Sequence, residues 1–161
     1  MSKTDFVVDR ENLEIRISRM FDAPRELVFK ACTDPAMIPQ WWGPRRYTTT
    51  VEKMDVRVGG VWRFIQHDTD GNEFAFNGVY REIVPPERVV QTFEFEPMAG
   101  HILVETVTFE EMPDSTTRMS VVVAYTTIED LDGMVASGMK DGLVESHDRL
   151  AQLVENVPSL N

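Results

Sequence analysis

Apolar and polar side chains alternate along residues 12–21, Asn-Leu-Glu-Ile-Arg-Ile-Ser-Arg-Met-Phe, the period-two pattern of a half-buried strand. Asp22-Ala23-Pro24 breaks that pattern. Asp suits a helix cap and Pro a first helical turn, so a helix is predicted to start here. Leu27, Val28 and Ala31 follow at helical spacing until Asp34-Pro35, and a second short helix is expected over 35–41, ended by Gly43-Pro44. From 46 to 127 the text reads as strands, in the runs 46–57, 60–68, 73–84, 88–96, 102–111 and 117–127. Gly59-Gly60, Asp70-Gly71-Asn72, Pro85-Pro86, Pro97 to Gly100 and Pro113-Asp114-Ser115 separate them with turn chemistry. Links this short join antiparallel neighbours. A seven-stranded meander follows, with residues 4–9 as a small additional edge piece.

Residues 129–156 return to helical period, with Leu131, Val135, Met139, Leu143, Leu150, Leu153 and Val157 three, four or seven apart. One helix of that length is about 39 Å long at 1.5 Å per residue, enough to cross a sheet. An antiparallel sheet with one wet face needs its dry face covered, and this helix is the element large enough to do it. The expected fold class is α+β: a curved antiparallel sheet, two short helices and a long C-terminal helix in one domain over 1–161, with its core at 12–156. The ends, 1–3 and 157–161, are expected to fray.

Strand parity then picks the inner face. Trp62, Phe64 and Gln66 share a side, as do Phe74, Phe76 and Tyr80; Val89, Gln91, Phe93 and Phe95; and Met119, Val121, Val123 and Tyr125. Large aromatics on several strands either fill the core or leave a pocket where sheet and helix diverge. On the pocket reading the lining is Trp41, Trp42, Trp62, Phe64, Phe74, Phe76, Tyr80, Phe93, Phe95, Val107, Val121 and Tyr125, with Met139, Leu143, Ser146 and Leu150 from the helix.

Charge narrows the partners. Against 16 Lys and Arg stand 27 Asp and Glu, a formal net charge of −11, which repels phosphate backbones and anionic lipid. Nucleic acid and membrane insertion are therefore not expected. The N-terminus has no signal-peptide hydrophobic region, and the lone Cys32 sits in an apolar helix pattern, where a small buried hydrophobe is expected. A reducing cytoplasm is the expected location.

Candidates for chemistry are few. His67, His101 and His147 lie in no metal-ligand spacing, so no metal is expected. Absence of a nucleotide or dinucleotide motif leaves no cofactor to expect. Ser146 and His147 are adjacent, and neighbours on a helix do not face each other; Ser146 is expected to point further inward. Glu105 shares parity with Leu103, Val107 and Phe109. If that face is inward it is a buried acid and a candidate general base; the preferred reading puts it at a wet strand end, since carboxylates are rarely buried unpaired. Glu105 and His147 are the catalytic candidates. Arg19 poses the same question beside Ile15 and Ile17, and exposure at the strand end is preferred. Trp41-Trp42 puts one ring in the core and one at the rim, as a plug or a gate. Gly138 and Gly142 weaken the long helix by about 1 kcal/mol each, pointing to close packing, room for a ligand or a kink.

Phe21-Asp22-Ala23-Pro24, Thr33-Asp34-Pro35, Trp41-Trp42-Gly43-Pro44, Gly59-Gly60-Val61-Trp62-Arg63-Phe64, Gly78-Val79-Tyr80-Arg81-Glu82-Ile83, Pro85-Pro86-Glu87-Arg88-Val89 and Gly138-Met139-Lys140-Asp141-Gly142 together resemble the family named after the activator of the heat-shock ninety chaperone ATPase. That family belongs to the START-like, or SRPBCC, helix-grip superfamily, and the resemblance covers about residues 12–155. It implies a hydrophobic cavity between sheet and long helix; relatives bind lipids, polyketides or hormones, and some catalyse cyclisation or hydrolysis. Leu143 stands where the family often has tryptophan, which implies a larger or differently shaped pocket. The expected function is binding of a small hydrophobic molecule. A cyclase- or hydrolase-type enzyme is the second reading, and a chaperone co-factor linked to stress response the third, because the namesake carries an additional N-terminal domain. A homodimer through a sheet edge or the Trp41-Trp42 rim is left open.

Overall fold

In the computed structural model, which describes residues 3–156, eight strands form one antiparallel sheet. They are β1 (Asp5–Asp9), β2 (Glu14–Phe21), β3 (Thr48–Met54), β4 (Val61–His67), β5 (Glu73–Val84), β6 (Arg88–Phe95), β7 (Leu103–Met112) and β8 (Thr116–Ala124). Their order across the sheet is β1-β2-β8-β7-β6-β5-β4-β3. The expected meander is present from β3 to β8, and β2 closes onto β8 at the far side.

Two expectations are corrected. The sheet has eight strands rather than seven, because residues 5–9 pair over their whole length with β2, Asp5 opposite Ser18 and Asp9 opposite Glu14. Val7 and Val8 are both exposed and Phe6 alone packs against the core, so β1 is held mainly by backbone pairing and carries little apolar alternation. The second short helix expected over 35–41 is a single 3₁₀ turn at Ile38–Gln40. The preceding helix, α1 (Arg25–Thr33), buries Leu27, Val28 and Ala31 as their spacing predicts.

The C-terminal helical segment is also divided. α2 (Ile128–Ala136) and α3 (Met139–Glu155) meet at Gly138, whose φ of +82° lies in the left-handed region. Glycine enters that region without a Cβ clash, so of the three options for the paired glycines a break is the one found at Gly138. Gly142 continues α3 in ordinary contact with the Pro44 ring, at 3.8 Å for an added Cβ. Val157, the last position of the expected helical face, and residues 1, 2 and 158–161 of the expected frayed ends lie outside the described residues.

Two register shifts, Val51/Lys53 on β3 and Tyr80/Glu82 on β5, bend the sheet, since a bulge adds a residue to one strand and increases local twist. α3 lies on the concave side. Ser146, His147, Leu150, Ala151 and Val154 are its buried positions, so His147 is as deep as Ser146, contrary to expectation. The helix is tied down at both flanks. Arg149 donates to the carbonyls of Gly43 (2.8 Å) and Gln40 (3.3 Å), and Asp148 pairs with Arg19 on β2. No helix among the described residues is long and apolar enough to cross a membrane.

Candidate functional site

The concave face of the sheet and α3 enclose a cavity of about 560 Å³. Its walls follow from strand alternation: inward residues of β4 to β8 stand in rows set by the register. One row runs Tyr80, Gln91, Glu105, Val123 across β5, β6, β7 and β8. Adjacent rows add Trp62, Phe64, Phe76, Phe93, Phe95, Val107, Val121 and Tyr125, and α3 supplies Met139, Leu143, Ser146 and His147.

Aromatic rings form one side. Trp42 stands edge-on to Phe64 and Phe76, each at 5.1 Å, and Phe76 leans on Phe95 at 5.0 Å and on Phe93 at 5.5 Å. Both tryptophans border the cavity, at different depths. Trp41 is buried and its indole N–H donates to the Ala31 carbonyl at 2.9 Å. Trp42 is half-buried, with its ring on the cavity wall. Ser146 joins them to α3: its hydroxyl donates to the Trp41 carbonyl (3.2 Å) and accepts from the Gly43 amide (3.1 Å).

Two residues of the expected lining lie elsewhere. Leu150 is fully buried one turn beyond the cavity, in the core with α1 and β2. Phe74, near the start of β5, stacks on Phe95 at 6.5 Å and meets Tyr47 at 5.8 Å beyond the cavity end. Parity assigns a face to a strand residue but says nothing of how far along the strand the cavity extends.

The polar groups carry the chemistry. Glu105 is turned into the cavity, which overturns the preferred wet-end reading. It is half-buried, and its remaining surface belongs to the cavity wall rather than to the outer surface. The Gln91 side-chain amide donates to its Oε1 at 3.0 Å. Burial pushes the Glu105 carboxyl above its ordinary range, an effect the Gln91 hydrogen bond only partly opposes. Tyr125, the residue after the end of β8, is buried with no hydrogen-bond partner for its hydroxyl among the described residues. Burial, and then the nearby Glu105, pushes that phenol upward as well.

His147 lines the cavity from α3, buried and with no hydrogen-bond partner for its Nδ1 among the described residues. Burial and then the Arg19 charge push its imidazole down to about 4, against a weaker opposing pull from Asp148, so at neutral pH it is uncharged. Arg19 is 6% exposed and pairs with Asp148, which corrects its expected exposure at the strand end. Cys32 borders the cavity, and burial pushes its thiol up to about 12, leaving the thiolate unavailable. Parity alone could have nominated Gln66 and Gln91, which also line the space. His101 and Asp130 are a different case. They meet at 2.8 Å on the cavity margin from a loop and from α2, a juxtaposition no sequence spacing announces. No group of three or more His, Cys, Asp or Glu among the described residues is placed to hold a metal. A second hollow of about 540 Å³, near Arg25, Glu87 and Glu110, is an open surface groove with walls about equally polar and apolar.

Residues 22–155 match the profile of the family described as Activator of Hsp90 ATPase homolog 1-like protein. No curated protein matches the chain. Among solved structures, protein Ms6760 from Mycobacterium smegmatis superposes with a TM-score of 0.86 at 23% identity, over 97% of this chain and 99% of that one. A protein from Arthrobacter aurescens gives 0.86 at 24% identity, over 96% and 93%. Protein CV1439 from Chromobacterium violaceum gives 0.78 at 29% identity, over 89% and 99%. These likenesses carry the helix-grip fold.

Proposed function

Because this chain belongs to the Activator of Hsp90 ATPase homolog 1-like family and has the START-like helix-grip fold, we propose that it binds a small hydrophobic molecule between the sheet and α3. One observation carries the reading: a space of about 560 Å³ lined mainly by aromatic and aliphatic side chains, with a few polar groups converging on it. Volumes of roughly 300–1,000 Å³ with that lining are typical of small-molecule sites, and closely packed interiors hold few voids larger than a water molecule. Native mass spectrometry of freshly purified protein tests for a co-purified ligand. Titration with the neutral fluorophore N-phenylnaphthylamine tests for a saturable site. Saturation at one probe per chain is expected, and Leu143→Trp, which fills the space from α3, should abolish it. Uptake that is linear and indifferent to that substitution would defeat the proposal.

Glu105 favours a second reading, an acid–base enzyme acting on a hydrophobic substrate. A carboxyl raised by burial inside a cavity is a frequent general acid or base. On that reading Glu105→Gln removes turnover of an identified substrate while leaving its binding within a few-fold; unchanged turnover would remove Glu105 from the role.

A further inference from the structure

We infer that the ligand enters and leaves between α2 and the turn joining β6 to β7, and that the contact of His101 with Asp130 holds this passage shut. This rests on the ligand-binding reading above and adds how the site is reached.

Exposure locates the mouth. Residues around the cavity are buried or half-buried, with five exceptions among the described residues: Met98, His101, Glu129, Gly133 and Ser137. Met98 and His101 belong to the turn after β6. Glu129 and Gly133 belong to α2, and Ser137 is its C-cap. The wall therefore meets solvent where these two segments face each other. Gly133 puts no side chain into the gap, and a Cβ there would meet nothing within 4 Å.

The two sides of the mouth are unequally held. The turn is tied to β6, because the Gly100 amide donates to Glu94 Oε2 at 2.7 Å. α2 has weaker moorings. Leu131 is its one buried side chain, against five in α3. Gly138, in the left-handed region, separates the two helices, so α2 can swing without bending α3. Elements with so little buried surface open at the low-energy end of a protein's local motions. His101 reaches across the gap and donates from Nδ1 to an Asp130 carboxylate oxygen at 2.8 Å. The other tie of α2, Arg10–Asp132, runs to the β1–β2 turn instead.

Such a bolt acts on rates. It is closed in both the empty and the occupied protein, so it adds equally to both states and leaves affinity nearly unchanged. It must break on the way in and on the way out, so it slows both directions alike.

Stopped-flow fluorescence with N-phenylnaphthylamine tests this. In His101→Ala the association and dissociation rates are expected to rise together by about two- to fivefold, the scale of one surface contact, with the dissociation constant moved by less than about twofold. A second arm closes the mouth covalently. The double variant His101→Cys/Asp130→Cys is joined by a short bis-methanethiosulfonate linker, verified by intact mass, while the buried Cys32 thiol stays unreactive. Both rates are expected to fall about tenfold or more in the linked protein and to recover when dithiothreitol cuts the linker. Exchange indifferent to the linker would overturn the inference while the apolar site stands. A His101→Ala effect confined to affinity would overturn it too, by making His101 a wall contact. Failure of the probe to saturate the unmodified protein at equilibrium would bring down the binding reading and this inference with it.

Discussion

Gln91 hands its side-chain amide to Glu105 across the β6–β7 pair at 3.0 Å, and the two stand directly opposite each other in the register. This contact steadies the carboxyl without neutralising the effect of burial, so the folded-state pKa stays above the ordinary glutamate value. Below the unfolded pKa both states are protonated and no difference arises. As pH rises past it, the unfolded chain releases its proton first, which favours unfolding. Glu105→Gln removes that term. Urea midpoints of the two proteins should nearly coincide in acid and separate in favour of the variant toward pH 8, and a gap that stays constant with pH would contradict the assignment.

His147 supplies the opposite slope. Its imidazole is held at about 4 in the fold against 6.5 in the free chain. Above pH 6.5 the residue is neutral in both states. As pH falls below that, the unfolded chain takes up a proton the fold refuses, and stability drops until about pH 4, by an amount on the order of 3 kcal/mol. Replacement by Gln should flatten that part of the profile, read as the difference in denaturation midpoint between pH 7 and pH 4.5.

Gly78 lies under the Trp62 indole, opposite it in the β4–β5 register. A Cβ there would stand 2.0 Å from the Thr92 carbonyl oxygen and 2.4 Å from Trp62 Nε1. The backbone cannot yield easily, so Gly78→Ala should destabilise the protein by about 1–3 kcal/mol, measured by chemical denaturation, and should shift the tryptophan emission. A neutral substitution would mean the strand pair is looser than this packing requires.

α2 is held less firmly than α3. It buries only Leu131, whereas α3 buries five side chains, and its ties to the sheet side are the His101–Asp130 contact and the Arg10–Asp132 pair. Surface polar contacts of this kind contribute little, about 0–1 kcal/mol. Hydrogen exchange should therefore show α2 amides opening well before those of α3, and His101→Ala should speed α2 further while leaving α3 unchanged. Uniform protection across both helices would show that they open as one unit.

What the amino-acid sequence determined by itself was the order of elements and the company each side chain keeps. Alternation along β4, β5, β6 and β8 put Trp62 with Phe64, Phe76 with Tyr80, Phe93 with Gln91, and Val121 with Tyr125, because a pleated strand has a period of two wherever it is placed. Turn chemistry at Gly59-Gly60 and Asp70-Gly71-Asn72 divided the strands, and the quoted motifs carried the family. The tertiary structure alone decided depth, position along the strand and partnership. Glu105 and Arg19 both shared parity with apolar neighbours, but whether that side met water or an enclosure depended on how far the bulged sheet bent and where α3 crossed it. Phe74 and Leu150 kept their expected faces yet fell beyond the cavity's ends. β1, expected only as a small edge piece at 4–9, pairs with β2 over its whole length, and the helix broke at Gly138 because a left-handed residue lets α2 leave the line of α3. Each of these is set by distances between segments remote in the chain, which a one-dimensional pattern of side chains does not encode.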